Sequence, residues 1–571
     1  MTTSRPLHLL LSHADDHRPA LPDGLTGEAA DRAGEPARIP APTELFDRGR
    51  DPNDLALQRW GLIVPEGEAG DHLTALVRPL IEQRREDQGG YPVQIYRVPP
   101  RLDAAEAAAW HRRVYVDERV PGTQLPFYQL ILGDLDQVPL AVQQVQMIDG
   151  VVGRLAFPDD RGYESYVAKL LRWERAPAAI PKARSMFFTV HDGTGATTLG
   201  YEALVAPSLA IARNERDTGD YAAGEVIELG DPHRRSTPDE LLAAIAAADP
   251  AVLFSVSHGE WAPLAGWTSI DEQRRIQGAM NLGSATLSGA DLAAGPVLPG
   301  GIWFMLACYS AGTPETSVYR PWLETLRRLG EYSGPIDTVL RSLPKPGERP
   351  FIAGLPASVL ANPDGPIAFL GHVDLAWSYG FQEIDAPAGP INRQRRFTSL
   401  LHHALRRDRV GVAFRELVSS ALAVDTELLA LYGRQAAVPA AIAPAQAARI
   451  GHLWMLRQDL LGYILLGDPA ARLPITPAPR PEPRRPTAAD LFPFAVTAST
   501  APPVLSPVLS PALSPALSIE KLEEAIAHVM LGDRGSQAIA EAYGIDRSEL
   551  DRLAELYRAA GRAALPRPRG R

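Results

Sequence analysis

The sequence predicts an α/β protein, with doubly wound, mostly parallel sheets flanked by helices, and a small all-α module at its carboxyl end. Three observations carry this. The runs 252–259 and 300–308 are apolar without a polar face, as strands covered on both sides of a parallel sheet must be. Comparable runs alternate with amphipathic stretches of helical length from about residue 57 to 475. Beyond that point the composition turns abruptly to proline and then to a short helical segment.

Residues 1–56 are rich in Pro, Gly, Asp and Ala without sustained periodicity and read as a poorly ordered lead-in. The block 57–180 alternates a strand at 61–64, a helix at 71–85, a strand at 93–98 and a helix at 104–113, then strands at 127–134 and 151–157. No nucleophile-and-base pair is visible in it, so it is expected to pack against and shape a site built elsewhere.

The block 181–475 begins with a strand at 185–190 that runs into His191-Asp192-Gly193-Thr194-Gly195. A strand at 225–229 and a helix at 239–248 capped by Thr237 lead to the two apolar runs. Strands at 351–354 and 367–372 and helices at 394–407, 410–423 and 444–461 follow, the last entered through Pro444 at its first position. A proline cadence, Leu505-Ser506-Pro507, Leu509-Ser510-Pro511, Leu513-Ser514-Pro515, marks 476–518 as a semi-extended linker. Residues 519–571 form the terminal helical module.

Composition narrows function. At 571 residues with 45% hydrophobic content, the chain can bury sizeable cores. A net charge of −11 argues against a dedicated nucleic-acid binder, because phosphate contacts need clustered basic surface. A single cysteine excludes an intramolecular disulfide framework and multi-thiolate zinc. The apolar run at 7–11 is too short and polar for a signal peptide, and no stretch has the roughly 18 apolar residues of a membrane span. A cytoplasmic location, without membrane attachment, is expected. His191, His372, His402 and His403 lack metal-ligand spacing, no P-loop or G-x-S-x-G is present, and Gly193-Thr194-Gly195 is too little for a nucleotide fingerprint, so neither metal nor cofactor is expected.

The chemistry concentrates at the ends of the two apolar runs. Carboxyl ends of parallel strands line the crevice where α/β sheets bind ligands, so His258 and Cys308 would face one cleft if their strands are neighbours. A thiolate attacks a carbonyl far better than a thiol, and the cysteine then needs a polarising histidine and partial exposure. Alone, a cysteine ending a buried strand is ordinarily an inert small hydrophobe, and a lone His-Gly is often just a turn. The pair, fifty residues apart and both at strand ends, favours catalysis.

A strand ending in His258-Gly259 and, fifty residues on, one ending in Ala307-Cys308 resembles the caspase-type cysteine peptidases. Cys308 continues into Tyr309-Ser310-Ala311-Gly312 rather than the Cys-Arg-Gly of caspases. The segment Leu466-Gly467-Asp468-Pro469-Ala470 is similar to the one closing the catalytic domain of gingipain-like peptidases and the related CHAT proteases. The resemblance spans roughly residues 90 to 475. It implies a caspase/gingipain-like fold and a cysteine endopeptidase acting on protein or peptide substrates, with Cys308 as nucleophile and His258 as acid/base. By the same resemblance the backbone N–H groups of Gly259 and Cys308 form the oxyanion hole, and regulated proteolysis, in defence or cell death, is the expected setting, with an activating partner.

Asp192, Asp374 and Trp377 are the candidate pocket walls. An aspartate at 192 would suit a substrate Arg or Lys, while the alternative is a turn in which the carboxylate only caps backbone N–H groups. Trp377 can equally be core. In the terminal module, Ala540-Glu541-Ala542-Tyr543-Gly544-Ile545 followed by Leu550 is similar to a helix-turn-helix, but Glu549, Asp551 and Glu555 make a poor face for DNA. A protein partner through 519–564 is preferred over DNA there. Two alternatives to the peptidase remain: a catalytically inactive adaptor on a peptidase fold, and a DNA-binding regulator using the terminal module.

Overall fold

Apolar, two-faced runs become interior strands here, and their pairing sets where the site can form. The computed structural model describes residues 7–25, 51–117, 124–176, 180–234, 236–330, 334–345, 347–383, 389–437, 443–477, 536–543, 547–548 and 550–551. The chain divides into two compact units, Met1–Arg480 and Pro481–Arg571.

The strands of the first unit are β1 (Leu11–His13), β2 (Trp60–Pro65), β3 (Gln94–Val98), β4 (Tyr128–Leu132), β5 (Val151–Leu155), β6 (Arg184–Thr189), β7 (Val226–Leu229), β8 (Ala251–Val256) and β9 (His258–Trp261). They continue with β10 (Met280–Asn281), β11 (Thr286–Leu287), β12 (Ile302–Leu306), β13 (Gly312–Thr313), β14 (Phe351–Ile352), β15 (Ala368–His372), β16 (Gln382–Glu383), β17 (Ile391–Asn392) and β18 (Tyr463–Gly467). Ten of them form one sheet in the order β3-β2-β4-β5-β18-β15-β12-β8-β6-β7. Every neighbouring pair is parallel except β15 and β18. This is the mostly parallel α/β sheet that the apolar runs imply, with the central strands β12, β15 and β18 buried along their whole length.

Residues 57–180 supply four of the ten strands and 181–475 six, and the two sets meet where β5 runs parallel to β18. The join is tight: a Cβ on Gly153 would lie 2.1 Å from the carbonyl oxygen of Gly467. Asp468, which follows β18, accepts hydrogen bonds from Trp60 Nε1 at 2.9 Å and Arg84 Nε at 2.8 Å, while its own N–H donates to the Tyr166 hydroxyl at 2.7 Å. One buried residue of the closing segment thus fastens three elements of the amino-terminal half, two through its carboxylate and one through its N–H.

The lead-in requires a correction. Residues 7–25 are ordered, and Leu7, Leu9, Leu10, Leu11, Leu21 and Leu25 are all buried. Strand β1 pairs in parallel with β9 in a small sheet of order β1-β9-β10-β11. Composition missed this because a single extended strand takes its order from remote partners and carries no periodicity of its own.

Other departures are local. The expected helix at 71–85 is two, Glu68–Leu76 and Arg78–Asp87, with Pro79 in the first turn of the second. The expected cap Thr237 stands at the N-cap without a side-chain bond, Pro238 beginning the helix behind it. Val410–Ala437 runs past its expected end at 423. The strand at 351–354 is the short β14, paired with β13 outside the main sheet. The helices Leu140–Asp149 and Asp160–Arg175 were not anticipated.

In the second unit, Ser536–Tyr543 is helical and Ile539, Ala540 and Leu550 are buried. The expected turn at Gly544-Ile545 and most of 476–571 lie outside the described residues. Among the described residues, no helix is long and apolar enough to cross a membrane.

Candidate active site

Strands β8 and β12 are parallel neighbours, in register from Val252–Ile302 to Val256–Leu306. Their carboxyl ends therefore emerge together, and the Ser257 N–H extends the pairing to Leu306 O at 3.2 Å. His258 and Cys308 each follow by two residues. The contact is close enough that a Cβ on Gly259 would stand 1.9 Å from Cys308 O, so glycine is required there.

His258 is buried and its two ring nitrogens have different surroundings. Nε2 lies 2.9 Å from Thr194 Oγ1 and 3.6 Å from Asp192 Oδ2. Asp192 Oδ1 accepts from the Thr194 N–H at 3.0 Å, from Thr194 Oγ1 at 2.9 Å and from Thr197 Oγ1 at 2.6 Å. With the Thr194 hydroxyl proton given to Asp192, its oxygen accepts from Nε2–H, which assigns the tautomer. Nδ1 is then a bare lone pair, and among the described residues it has no hydrogen-bond partner. Burial pushes the imidazole down to about 4, against the opposing pull of Asp192. The ring is therefore held neutral, with its Nδ1 lone pair open and only weakly basic while the site is buried.

Cys308 differs from expectation: it is fully buried rather than partly exposed. Its Sγ accepts from the Ala376 N–H at 3.2 Å and lies 3.6 Å from Ala376 O. Burial pushes the thiol well up, despite that donor. The cover includes the chain's own lead-in. The N–H groups of Gly259 and Cys308 both donate to the carbonyl oxygen of Leu10, at 2.9 and 3.1 Å. Two backbone donors converging on one carbonyl oxygen at about 3 Å is the arrangement that stabilises an oxyanion.

The other three expected residues lie around this centre. Asp192 directs its carboxylate to Thr194, Thr197 and His258, and so meets the turn donor that its alternative reading envisaged. Asp374 is buried, accepting from Leu375 N at 2.8 Å and Val318 N at 3.0 Å, and burial raises it to about 7. The Trp377 ring packs edge-on against Tyr319 and Trp322 in the core. What Trp377 gives the cleft is main chain: Leu9 forms an antiparallel bridge with it.

Behind that wall, Asp459 accepts from Trp377 N at 2.7 Å and Gly380 N at 2.9 Å, and burial raises it to about 8. Asp459, Thr194, Thr197 and Ala376 were not singled out in the sequence. Thr194 and Thr197 could have been, since two hydroxyls follow an aspartate at turn spacing. Asp459 sits in the last turn of the helix Pro444–Leu461, 151 residues beyond Cys308, and no motif spacing marks it.

No protein-family model matches the chain, and no curated protein matches it. Among solved structures it is similar to the Arg-specific cysteine proteinase gingipain R, with 12% identity and a TM-score of 0.41 over 73% of this chain and 78% of that one. The pro- and mature-domain complex of RgpB from Porphyromonas gingivalis gives 12% identity and 0.41 over 73% and 79%. A structure described only as a protease gives 10% identity and 0.42 over 72% and 78%.

Proposed function

We propose that this chain is a cysteine endopeptidase with Cys308 as nucleophile and His258 as acid/base. The observation that carries the reading is the convergence of the Gly259 and Cys308 N–H groups on one peptide carbonyl beside a thiol. In the reaction the Cys308 thiol loses its proton to His258 Nδ1, and sulfur bonds to the substrate carbonyl carbon. The oxyanion takes the two N–H bonds, each worth about 2.7–4 kcal/mol in such sites. The carbon–nitrogen bond then breaks as His258 returns the proton to the departing amine, and water hydrolyses the thioester to restore the thiol. Asp192 and Thr194 hold the ring from Nε2 and favour the imidazolium formed midway.

The adaptor reading has one observation on its side, the burial of the sulfur. Peptide hydrolysis by the purified chain, set beside Cys308→Ala, separates the two. The variant is expected to melt like the parent and to cleave nothing. Cleavage retained in Cys308→Ala overturns the assignment.

A further inference from the structure

We propose that residues 7–25 are the site's own peptide occupant, seated as a substrate with Leu10 before the reacting bond, and that the site selects a large aliphatic residue at that position. The inference rests on the peptidase reading and adds to it a substrate class and a built-in competitor.

The seating is that of a bound peptide along its whole length. Leu10 places its carbonyl oxygen on both backbone donors and its N–H 3.4 Å from Ala376 O. Leu9 bridges Trp377, and the Ser378 N–H donates to His8 O at 3.3 Å, so the stretch before the reacting bond runs antiparallel to 376–378. After that bond the chain continues as β1, paired in parallel with Gly259, Glu260 and Trp261. It therefore crosses the centre from one wall to the other without turning away. The segment then folds back on itself, with Ala20 N on Leu11 O at 2.8 Å and Leu25 N on Leu7 O at 2.9 Å.

The side-chain preference follows from what Leu10 finds. It is 1% exposed, so its place is enclosed. The carboxylate expected to suit a basic substrate, Asp192, is committed to Thr194 and Thr197, and that of the other acidic pocket candidate, Asp374, to Leu375 and Val318. A guanidinium or ammonium in Leu10's place would be desolvated with neither of these carboxylates free to meet it, whereas an aliphatic chain gains by leaving water.

The seated bond, Leu10–Leu11, is also open to the chemistry of the site. Sulfur would bond to the Leu10 carbonyl carbon, the thiol proton would pass through His258 to the Leu11 nitrogen as that bond breaks, and water would release a Leu10 carboxylate. While the segment stays seated, burial holds the sulfur as a neutral thiol against the opposing effect of the Ala376 N–H, so occupancy blocks more than it reacts.

The test compares the full chain with Leu10→Asp, which carries a charge into the enclosed place and dislodges the segment, using peptides varied at the residue before the cut and iodoacetamide as a probe of Cys308. Expected are cleavage after Leu, Met or Ile at about tenfold or more over Arg or Lys, and alkylation and cleavage both faster in Leu10→Asp. A synthetic peptide of residues 7–13 should inhibit that variant, and the same peptide carrying Asp for Leu10 should not. A product of the full chain ending at Leu10, absent from Cys308→Ala, supports the same recognition. Cleavage after Arg, Lys or Asp, or alkylation unchanged in Leu10→Asp, overturns the inference and leaves the peptidase reading standing. Faster alkylation without cleavage of any peptide overturns the peptidase reading and keeps the segment as occupant.

Discussion

The hydroxyl of Thr194 lies 2.9 Å from Nε2 of His258, and the same oxygen donates to Asp192 at 2.9 Å. A short turn after β6 thereby decides which nitrogen of the imidazole is engaged and which would take part in the proposed reaction. Thr194→Val removes the bridge and keeps the volume, and should lower kcat about tenfold with KM nearly unchanged, as expected for loss of ring positioning. Asp192→Ala should cost about a hundredfold. Because Asp192 opposes the effect of burial on His258, its removal should also move the acid limb of kcat/KM to lower pH. A structural role alone would lower activity without that displacement. Both variants are best measured in the Leu10→Asp background, where outside peptide reaches the site.

Gly259 is held between two demands. In the proposed reaction its N–H must reach the substrate oxygen, as it now reaches Leu10 O, and its α-carbon lies where a Cβ would stand 1.9 Å from Cys308 O. The obstructing atom is backbone, on a loop fixed by Tyr309 N bonding Asp374 O at 3.0 Å, so it cannot swing aside as a side chain would. Gly259→Ala should lower peptide hydrolysis at least about a hundredfold, the scale of losing one oxyanion donor. It should also lower stability by about 1–3 kcal/mol through overpacking. Kinetics and urea unfolding check the two effects separately. Hydrolysis at the parental rate would mean that this backbone is not the oxyanion donor.

The sheet was legible because burial on both faces leaves short, nearly continuous apolar runs: 302–306 is apolar throughout and 252–256 is so but for Ser255, and they became adjacent parallel strands. That adjacency is why two residues fifty positions apart could be placed at one edge from sequence. What stayed hidden depends on remote closure. Asp459 reaches Trp377 and Gly380 across some eighty residues, and nothing near Asp459 in sequence distinguishes it from an ordinary helical aspartate. Residues 7–25 fell within the lead-in read as poorly ordered on its Pro, Gly, Asp and Ala, yet their leucines are buried, and remote partners, β9 and Trp377, pair with the segment. Pocket residues were the least legible: the Asp374 carboxylate turns to Leu375 and Val318 and the Trp377 ring to Tyr319 and Trp322, while Trp377 meets Leu9 through its main chain.

Asp468 ties the two halves of the sheet together. Arg84 is buried and meets Asp468 at 2.8 Å and Glu174 at 2.6 Å. Asp468→Ala strips this guanidinium of its most buried partner and leaves the indole N–H of Trp60 unpaired. Breaking a buried pair on one side costs about 3–5 kcal/mol, and the Glu174 contact should hold the loss toward the lower figure. Urea unfolding of the full chain reads it. A change below about 0.5 kcal/mol, the scatter of surface substitutions, would show that the join does not depend on this carboxylate.

The buried Glu260 carboxylate receives His17 Nδ1 at 2.9 Å and Asn281 Nδ2 at 3.1 Å, with Ser12 Oγ at 3.5 Å. The hydrogen bond to Glu260 raises the His17 imidazole above its ordinary value, with Asp16 and Asp15 adding to the effect and Thr286 Oγ1 3.3 Å away as a neutral neighbour. A raised value means that the charged ring favours the seated segment. That contribution is complete below about pH 6.5, the free imidazole value, and is lost as pH rises through the higher value of the seated form. Cys308 should therefore alkylate more slowly in the parent than in His17→Gln at acid pH, where the parent ring is charged and the amide is not. The two rates should converge above neutrality, once the parent keeps only a neutral hydrogen bond to Glu260. Taking the ratio of the two chains at each pH removes the thiol's own ionisation, which both share. A ratio that stays flat from about pH 5.5 to 8 would show that His17 does not hold the segment through its charge.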